Sequence, residues 1–244
     1  MSKYFYDLHV HSCLSPCGDD DMTPANIAGM AMLNGLNIVA LTDHNTSKNC
    51  PAFFAHAKRY GLVPVAGMEL TTSEEIHVLC LFPTLDDAME FDSFVDSRRV
   101  KIANKKAIFG NQIVMDENDV AVGEEEHLLI NATTIDLEEA YREVTKRGGA
   151  CYPAHVDRES GGMIAVLGDL PDEPRYAAFE LNDKNSYGEY TERYPKLRGM
   201  RYVVSSDAHY LQNISQAENA LELDDEPYSS QKVRDSLIKY LRGE

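Results

Sequence analysis

Residues 23–45 read TPANIAGMAMLNGLNIVALTDHN. Thr23 carries the side chain of a helix N-cap, and Pro24 suits the first helical position, where a missing N–H costs nothing. The spacing predicts a helix from Thr23 to Asn34, stopped by Gly35. Asn37 to Thr42 (NIVALT) is then a short apolar run suited to a buried parallel strand, and it closes on Asp43 and His44.

The same rhythm extends in both directions. Tyr4 to Val10 is β-rich, Pro51 to Tyr60 reads as helix closed by Gly61, and Leu62 to Leu70 and Ile76 to Phe82 read as strands. Asp86 to Lys106 reads as one long, charged helix, and Gly110 to Val122 as a hairpin excursion around a polar turn. Asp136 with Glu139 forms a capping box for a helix to Arg147. Strands follow at Ala150–Pro153, Ala177–Leu181 and Arg201–Ser205, and Ser229 or Ser230 caps a last helix to Leu241. About seven core strands alternating with helices predict an α/β fold with a parallel sheet or barrel. The whole chain, residues 1–244, reads as one domain, with 84–135 its most irregular part.

Composition narrows the class. With 43% hydrophobic and 26% charged residues the chain is globular, and its net charge of -17 argues against a general binder of nucleic acid or anionic membranes. The start shows no long apolar leader and no run reaches membrane-spanning length. Five scattered cysteines without CxxC spacing read as reduced thiols, so a cytoplasmic location is expected.

Histidine placement carries the chemistry. His9, His11, His44, His155 and His209 fall at or just past strand ends beside polar residues, and His77 sits early in a strand. The C-terminal ends of parallel strands form the ligand crevice of such folds. His9 and His11, two apart on a strand, project together and suit chelation of one metal ion. Asp207 and His209 repeat that spacing after the run VVSS. Of the neighbours Asp43 and His44, one is expected as a ligand and the other as its support. Glu69 follows the apolar Val65 to Met68, so its ionised carboxylate needs a counter-charge, which a metal pair supplies. His56 and His127 read as structural or surface residues. No dinucleotide, P-loop, nucleophile-elbow or HExxH motif is present.

Read in order, DLHVHS, LTDHN, GMEL, IHVL, PAHVD and SDAH resemble the polymerase and histidinol phosphatase (PHP) family from Asp7 to His209. That resemblance implies a distorted seven-stranded β/α barrel, two or three divalent ions at its mouth, and hydrolysis of phosphate esters. By position it implies His9, His11, Glu69 and Asp207 around a first ion, with Glu69 bridging to a second held by His77 and His155. A third ion falls to His44 and His209 with a ligand from the first loop. There the pattern departs: the expected Asp or His is Pro16, which leaves Cys17, Asp19 or Asp20 to complete the site.

Imidazole and carboxylate donors suit manganese, iron or zinc better than magnesium or calcium. Ions sharing Glu69 would make hydroxide from water near neutral pH, and Arg158 would clamp the phosphate. From the acidic balance the expected substrate is a small phosphorylated metabolite or nucleotide, met by a phosphatase or phosphodiesterase, with no long nucleic acid and no membrane. The alternatives are a 3′ exonuclease on single strands, a non-catalytic metal-binding module, and amide or lactone hydrolysis. An exonuclease needs a basic channel, and the one cation cluster, Arg98 to Lys106, is expected on a helix face. Oligomeric state is not legible.

Overall fold

The structure is a computed structural model describing residues 1–244. In chain order it builds β1 (Ser2–Val10), α1 (Pro24–Leu33), β2 (Ile38–Leu41), α2 (Cys50–Arg59), β3 (Val63–Thr71), β4 (His77–Phe82), α3 (Leu85–Asp96) and α4 (Lys106–Phe109). There follow β5 (Ile113–Met115), β6 (Ala121–Glu124), α5 (Leu137–Lys146), β7 (Ala150–Pro153), α6 (Met163–Leu167), β8 (Ala178–Leu181), α7 (Tyr187–Arg193), β9 (Arg201–Val204), β10 (Ala220–Leu223) and α8 (Ser230–Leu241). Thr23, Asp136 and Ser229 cap α1, α5 and α8 through their side-chain oxygens.

Six strands form one curled sheet in the order β10-β1-β2-β3-β4-β7. β1, β2 and β3 run parallel, whereas β4 is antiparallel to both β3 and β7, and β10 is antiparallel to β1. The expected parallel sheet is thus mixed: only a short turn, 72–76, separates β3 from β4, too short for the crossover that parallel pairing needs. β8 and β9 form a separate parallel pair, and Val10 bridges Ala208 to bring the end of β9 beside β1.

Two apolar layers hold the sheet. Alternate residues on one face, among them Tyr6, Leu8, Ile38, Val63, Val65, Leu79 and Tyr152, pack together and against Val233, Leu237 and Leu241 of α8. The opposite face, with Val39, Leu41, Met68, Val78 and Phe82, packs under α1, α2, α3 and α5. Side chains two apart share a face, so Val63-Val65-Gly67-Glu69 and Leu81-Leu79-His77 both run along the inner face toward one rim. Because β4 is reversed, His77 at its start reaches the rim that the other strands reach at their ends.

The long charged helix expected over 86–106 ends at Asp96, and its Lys106 end belongs to the separate four-residue α4. Gly67 lets β3 and β4 pack closely, since a Cβ there would lie 2.4 Å from the Cys80 carbonyl oxygen and 2.6 Å from the Leu81 side chain. Gly67→Ala is therefore expected to lower unfolding free energy by about 2 kcal/mol, as overpacked cores do. Urea denaturation checks this, and an unchanged midpoint would contradict the packing described.

Candidate metal centre

Glu69 sits at the inner rim of β3 with 1% of its surface exposed. Its Oε1 lies 2.7 Å from His77 Nδ1 and 2.9 Å from His155 Nε2. Its Oε2 lies 2.9 Å from His44 Nδ1, 3.3 Å from His11 Nε2 and 3.5 Å from His9 Nε2. Asp207 Oδ1 completes the other side, 3.0 Å from His11 Nε2 and 3.3 Å from His9 Nε2. Residues up to 198 positions apart in sequence thus present donor atoms to one small volume.

Local backbone features aim these groups. The β1–β2 register shifts between Asp7 and Val10, an irregularity of the kind that redirects side chains beside active sites. His155 and Asp207 hold φ of 23° and 50°, the left-handed region that non-glycine residues rarely occupy. Such strain persists where the surroundings enforce it and clusters at functional sites.

Three groups of donors lie within ligand reach of one another: His9, His11, Glu69 and Asp207; His44, Glu69 and His77; and His11, His44 and His209. Whether a metal fits there is tested by what the protein alone leaves unmet. Glu69 Oε2, His44 Nδ1 and Asp207 Oδ1, all facing the cluster, are buried without a hydrogen-bond partner. Glu69 Oε2 and His44 Nδ1 approach each other without the alignment of a hydrogen bond. Buried unpaired donors and acceptors are costly, and divalent cations with imidazole and carboxylate preference satisfy this set. The residues fit.

The supporting residues are more extensive than the sequence disclosed. Glu180 of β8, 1% exposed, accepts a 2.8 Å hydrogen bond from His9 Nδ1 and so turns His9 Nε2 toward Glu69 and Asp207. A lone acid inside AAFELN carries the same signal as Glu69, an ionisable group in a buried apolar run. Asp43 does not face the cavity: it accepts from Ser12 N, Ser12 Oγ and Ser15 Oγ, while Ser15 Oγ contacts His11 Nδ1 at 2.9 Å. Of the pair Asp43 and His44, then, His44 meets Glu69 and Asp43 pins the loop that carries His11.

A cavity of about 390 Å³ opens over the cluster, lined in part by Cys17, His44, His77, Arg158 and His209. Arg158 is 45% exposed on its side chain and ion-pairs with Asp207 Oδ2. Cys17 lines the cavity but belongs to none of the three converging groups. Asp19 accepts from Asp21 N and Asp20 holds Asn111, both at the surface. His56 is buried in α2, and His127 lies 3.5 Å from Glu125, away from the cluster.

Charge follows from this geometry. Burial opposes a proton on His11, but the carboxylates of Asp207 and Glu69, 3.0 and 3.3 Å from its Nε2, outweigh it and push His11 up to about 9. His9 is also raised, against its burial, by Glu180, Asp207 and Glu69. Burial lowers His44 to about 4 and His209 to about 3, helped in both by repulsion from His11. Glu69 is held well below the carboxylate range, against its burial, by His77, His9 and His44.

The chain matches the PHP domain across residues 7–209. It belongs to that family. The family is one of metal-dependent hydrolases acting on phosphoester bonds. Among curated proteins, the 5′-3′ exoribonuclease of Haemophilus influenzae is 34% identical over 79 residues, 31% of this chain and 28% of that protein. Among solved structures, the lesion-specific endonuclease PfuEndoQ of Pyrococcus furiosus superposes with a TM-score of 0.64 at 19% identity, over 99% of this chain and 56% of the endonuclease. A Bifidobacterium adolescentis protein described as a metal-dependent phosphoesterase gives 0.58 at 18% identity over 95% of both chains. This chain spans only about half the length of the endonuclease. At these identities the structural likeness establishes the fold.

One expectation is corrected here. A small substrate and the exclusion of long nucleic acid were read from net charge, yet an endonuclease Q of this fold (TM-score 0.56, 19% identity, 96% of this chain and 56% of that one) holds a 27-mer duplex with an abasic lesion at its active site. Net charge averages over the surface, whereas polyanion binding is decided by local potential at the groove. No helix is long and apolar enough to cross a membrane.

Protonated His9 and His11 must release their protons to bind a metal. Isothermal titration of metal-free PHP protein with manganese at neutral pH, in two buffers of different ionisation enthalpy, is expected to show release of about one to two protons. Affinity should then rise with pH up to and through about 9, the range over which His11 gives up its proton. Binding without proton release would contradict the charge state described.

Proposed function

We propose that this chain hydrolyses phosphodiester bonds in nucleic acid with two or three divalent ions of manganese, iron or zinc. The observation that carries the reading is Glu69, whose two oxygens face separate histidine groups as a carboxylate shared between ions would. His9, His11, Glu69 and Asp207 would hold one ion, His77 and His155 a second with Glu69, and His44 and His209 a third. Cys17, on the cavity wall, would be the added ligand of that third ion. The strands β1–β4 and β7–β9 would form the distorted seven-stranded barrel of the family, within a single domain that also carries the β5–β6 hairpin.

Bound divalent ions supply Lewis acidity and an acidified water near neutral pH. The chain's own residues do the rest. Glu180 and the Asp43–Ser15 pair fix the rings of His9 and His11, so the site keeps its shape as charge changes. His44 and His209 stay neutral at physiological pH and offer lone pairs. Arg158, half exposed at the rim, would exchange Asp207 for a non-bridging phosphate oxygen, which its planar fork matches.

Support for a nucleic acid substrate comes from the relatives, an exoribonuclease and a DNA-lesion endonuclease, and from the shape of the groove. A second cavity of about 530 Å³ shares His77, Ile130, Glu159 and Ser160 with the first, which gives room beside the reacting phosphate for a neighbouring nucleotide.

Purified protein loaded with manganese, ferrous iron or zinc should cleave bis(4-nitrophenyl) phosphate and end-labelled RNA or DNA oligonucleotides. Glu69→Gln and His9→Ala should each lower kcat by about a thousandfold or more, while His56→Ala should stay within about twofold, the scale on which metal-held chemistry is lost. The end from which label is released gives the polarity. Turnover of phosphate monoesters alone, or of nothing with any metal, would overturn the proposal.

A further inference from the structure

Residues 98–110 read RRVKIANKKAIFG: five of the chain's 23 cations in one stretch that contains no acid, within a protein of net charge -17. They form neither the helix face expected of them nor a free loop. Beyond Asp96 the chain runs as an irregular strap, bridged Arg99 to Thr133 and Ala103 to His127, before the short α4. Leu128 N donates to Ile102 O at 2.7 Å and Asn104 N to Glu126 O at 2.8 Å, so the strap lies against residues 126–134.

The cations divide by role. Arg99 is buried and bound to Asp96 and Glu125, and Arg98 pairs with Glu139 at 3.1 Å. Lys101, Lys105 and Lys106 are solvent-facing. Lys101 touches Asp96 and Lys106 touches Glu124, both exposed pairs of the sort that contribute little and exchange readily, and Lys105 has no carboxylate partner. Between these lysines Ile102, Ile108 and Phe109 are 50%, 69% and 37% exposed. Apolar side chains left in water among cations do nothing for the core. An aromatic face beside positive charge is what single-stranded nucleic acid binds, bases stacking on the former and phosphates meeting the latter, and Phe109, with Ile108 next to it, supplies such a face among these lysines.

Position ties the strap to the metal cluster. At its end, a Cβ on Gly110 would lie 3.0 Å from the Pro16 carbonyl oxygen, and Pro16 precedes Cys17 in the cavity wall. The segment along its other edge continues into Ile130, which lines both cavities. Both ends of the strap's contacts thus lie next to residues of the cavity wall, Pro16 beside Cys17 and Leu128 two before Ile130.

We propose that Val100–Phe109 is the contact surface for the single-stranded nucleic acid that flanks the reacting phosphodiester, with Lys101, Lys105 and Lys106 on its phosphates and Ile108 and Phe109 on its bases. The inference rests on the phosphodiesterase reading and deepens it. Its test compares wild type with Lys101→Gln/Lys105→Gln/Lys106→Gln and with Phe109→Ala, all loaded with manganese.

With a labelled single strand of about 12 nucleotides, the triple variant should bind about tenfold or more weakly by fluorescence anisotropy. Its slope of log affinity against log salt, between about 50 and 200 mM, should shrink by about two. Phe109→Ala should weaken binding about fivefold or more with the salt slope unchanged. Both variants should hydrolyse bis(4-nitrophenyl) phosphate as wild type does. Unchanged oligonucleotide binding would overturn the strap while leaving phosphodiester hydrolysis intact, and equal losses on both substrates would overturn it as a strand-specific surface. A wild-type dimer in sedimentation that both variants dissociate would assign the patch to a second copy of the chain instead. Should wild type hydrolyse neither substrate, the phosphodiesterase reading falls and the anisotropy titration still decides the strap.

Discussion

An ionised carboxylate buried at 1% exposure, with six imidazoles gathered around it and its partner Asp207, is the arrangement on which the rest of this molecule depends. Removing a carboxylate from water costs several kcal/mol unless charge and hydrogen bonds replace the lost hydration. In Glu69 the replacement is supplied by rings from four separate parts of the chain, and none of them would lie there without the curled sheet. The fold and the site are therefore one constraint: the sheet brings the histidines to a rim, and the buried acid makes their presence there favourable.

Around that centre the protein invests in positioning. Glu180 fixes His9, Ser15 and Asp43 fix His11, and two strained residues, His155 and Asp207, point inward from left-handed backbone. The lowered His44 and His209 sit beside the raised His9 and His11, so neighbouring rings of identical chemistry carry different charge because only some face carboxylates. Such a site is ready to exchange protons for cations.

Much of this was legible in the sequence. His9 and His11 are legible because period-two spacing at a strand end gives a shared direction, and Glu69 because an acid in an apolar run needs a reason; Asp207 and His209 lie past the end of β9, where left-handed backbone at Asp207 and not strand spacing aims them. Glu180 obeys the same rule, and only the fold shows its role by setting it 2.8 Å from His9 Nδ1. The reversal of β4 was hidden because apolar strands read alike in either direction, and only the shortness of 72–76 betrayed it. Lysine-rich and alanine-containing stretches favour helix locally, but pairing of Arg99 with Thr133 and Ala103 with His127 keeps residues 99–103 out of a helix, and only the four residues of α4 from Lys106 are helical. Net charge misled most, since -17 describes the whole surface and not the groove.

Anomalous diffraction from crystals grown with manganese tests the central claim most directly. The account predicts at least two ions, one on each side of Glu69 and each bound by one of its oxygens, with His9, His11 and Asp207 on the first and His77 and His155 on the second. Ions bound elsewhere, or a Glu69 carboxylate that ligates none of them, would contradict it.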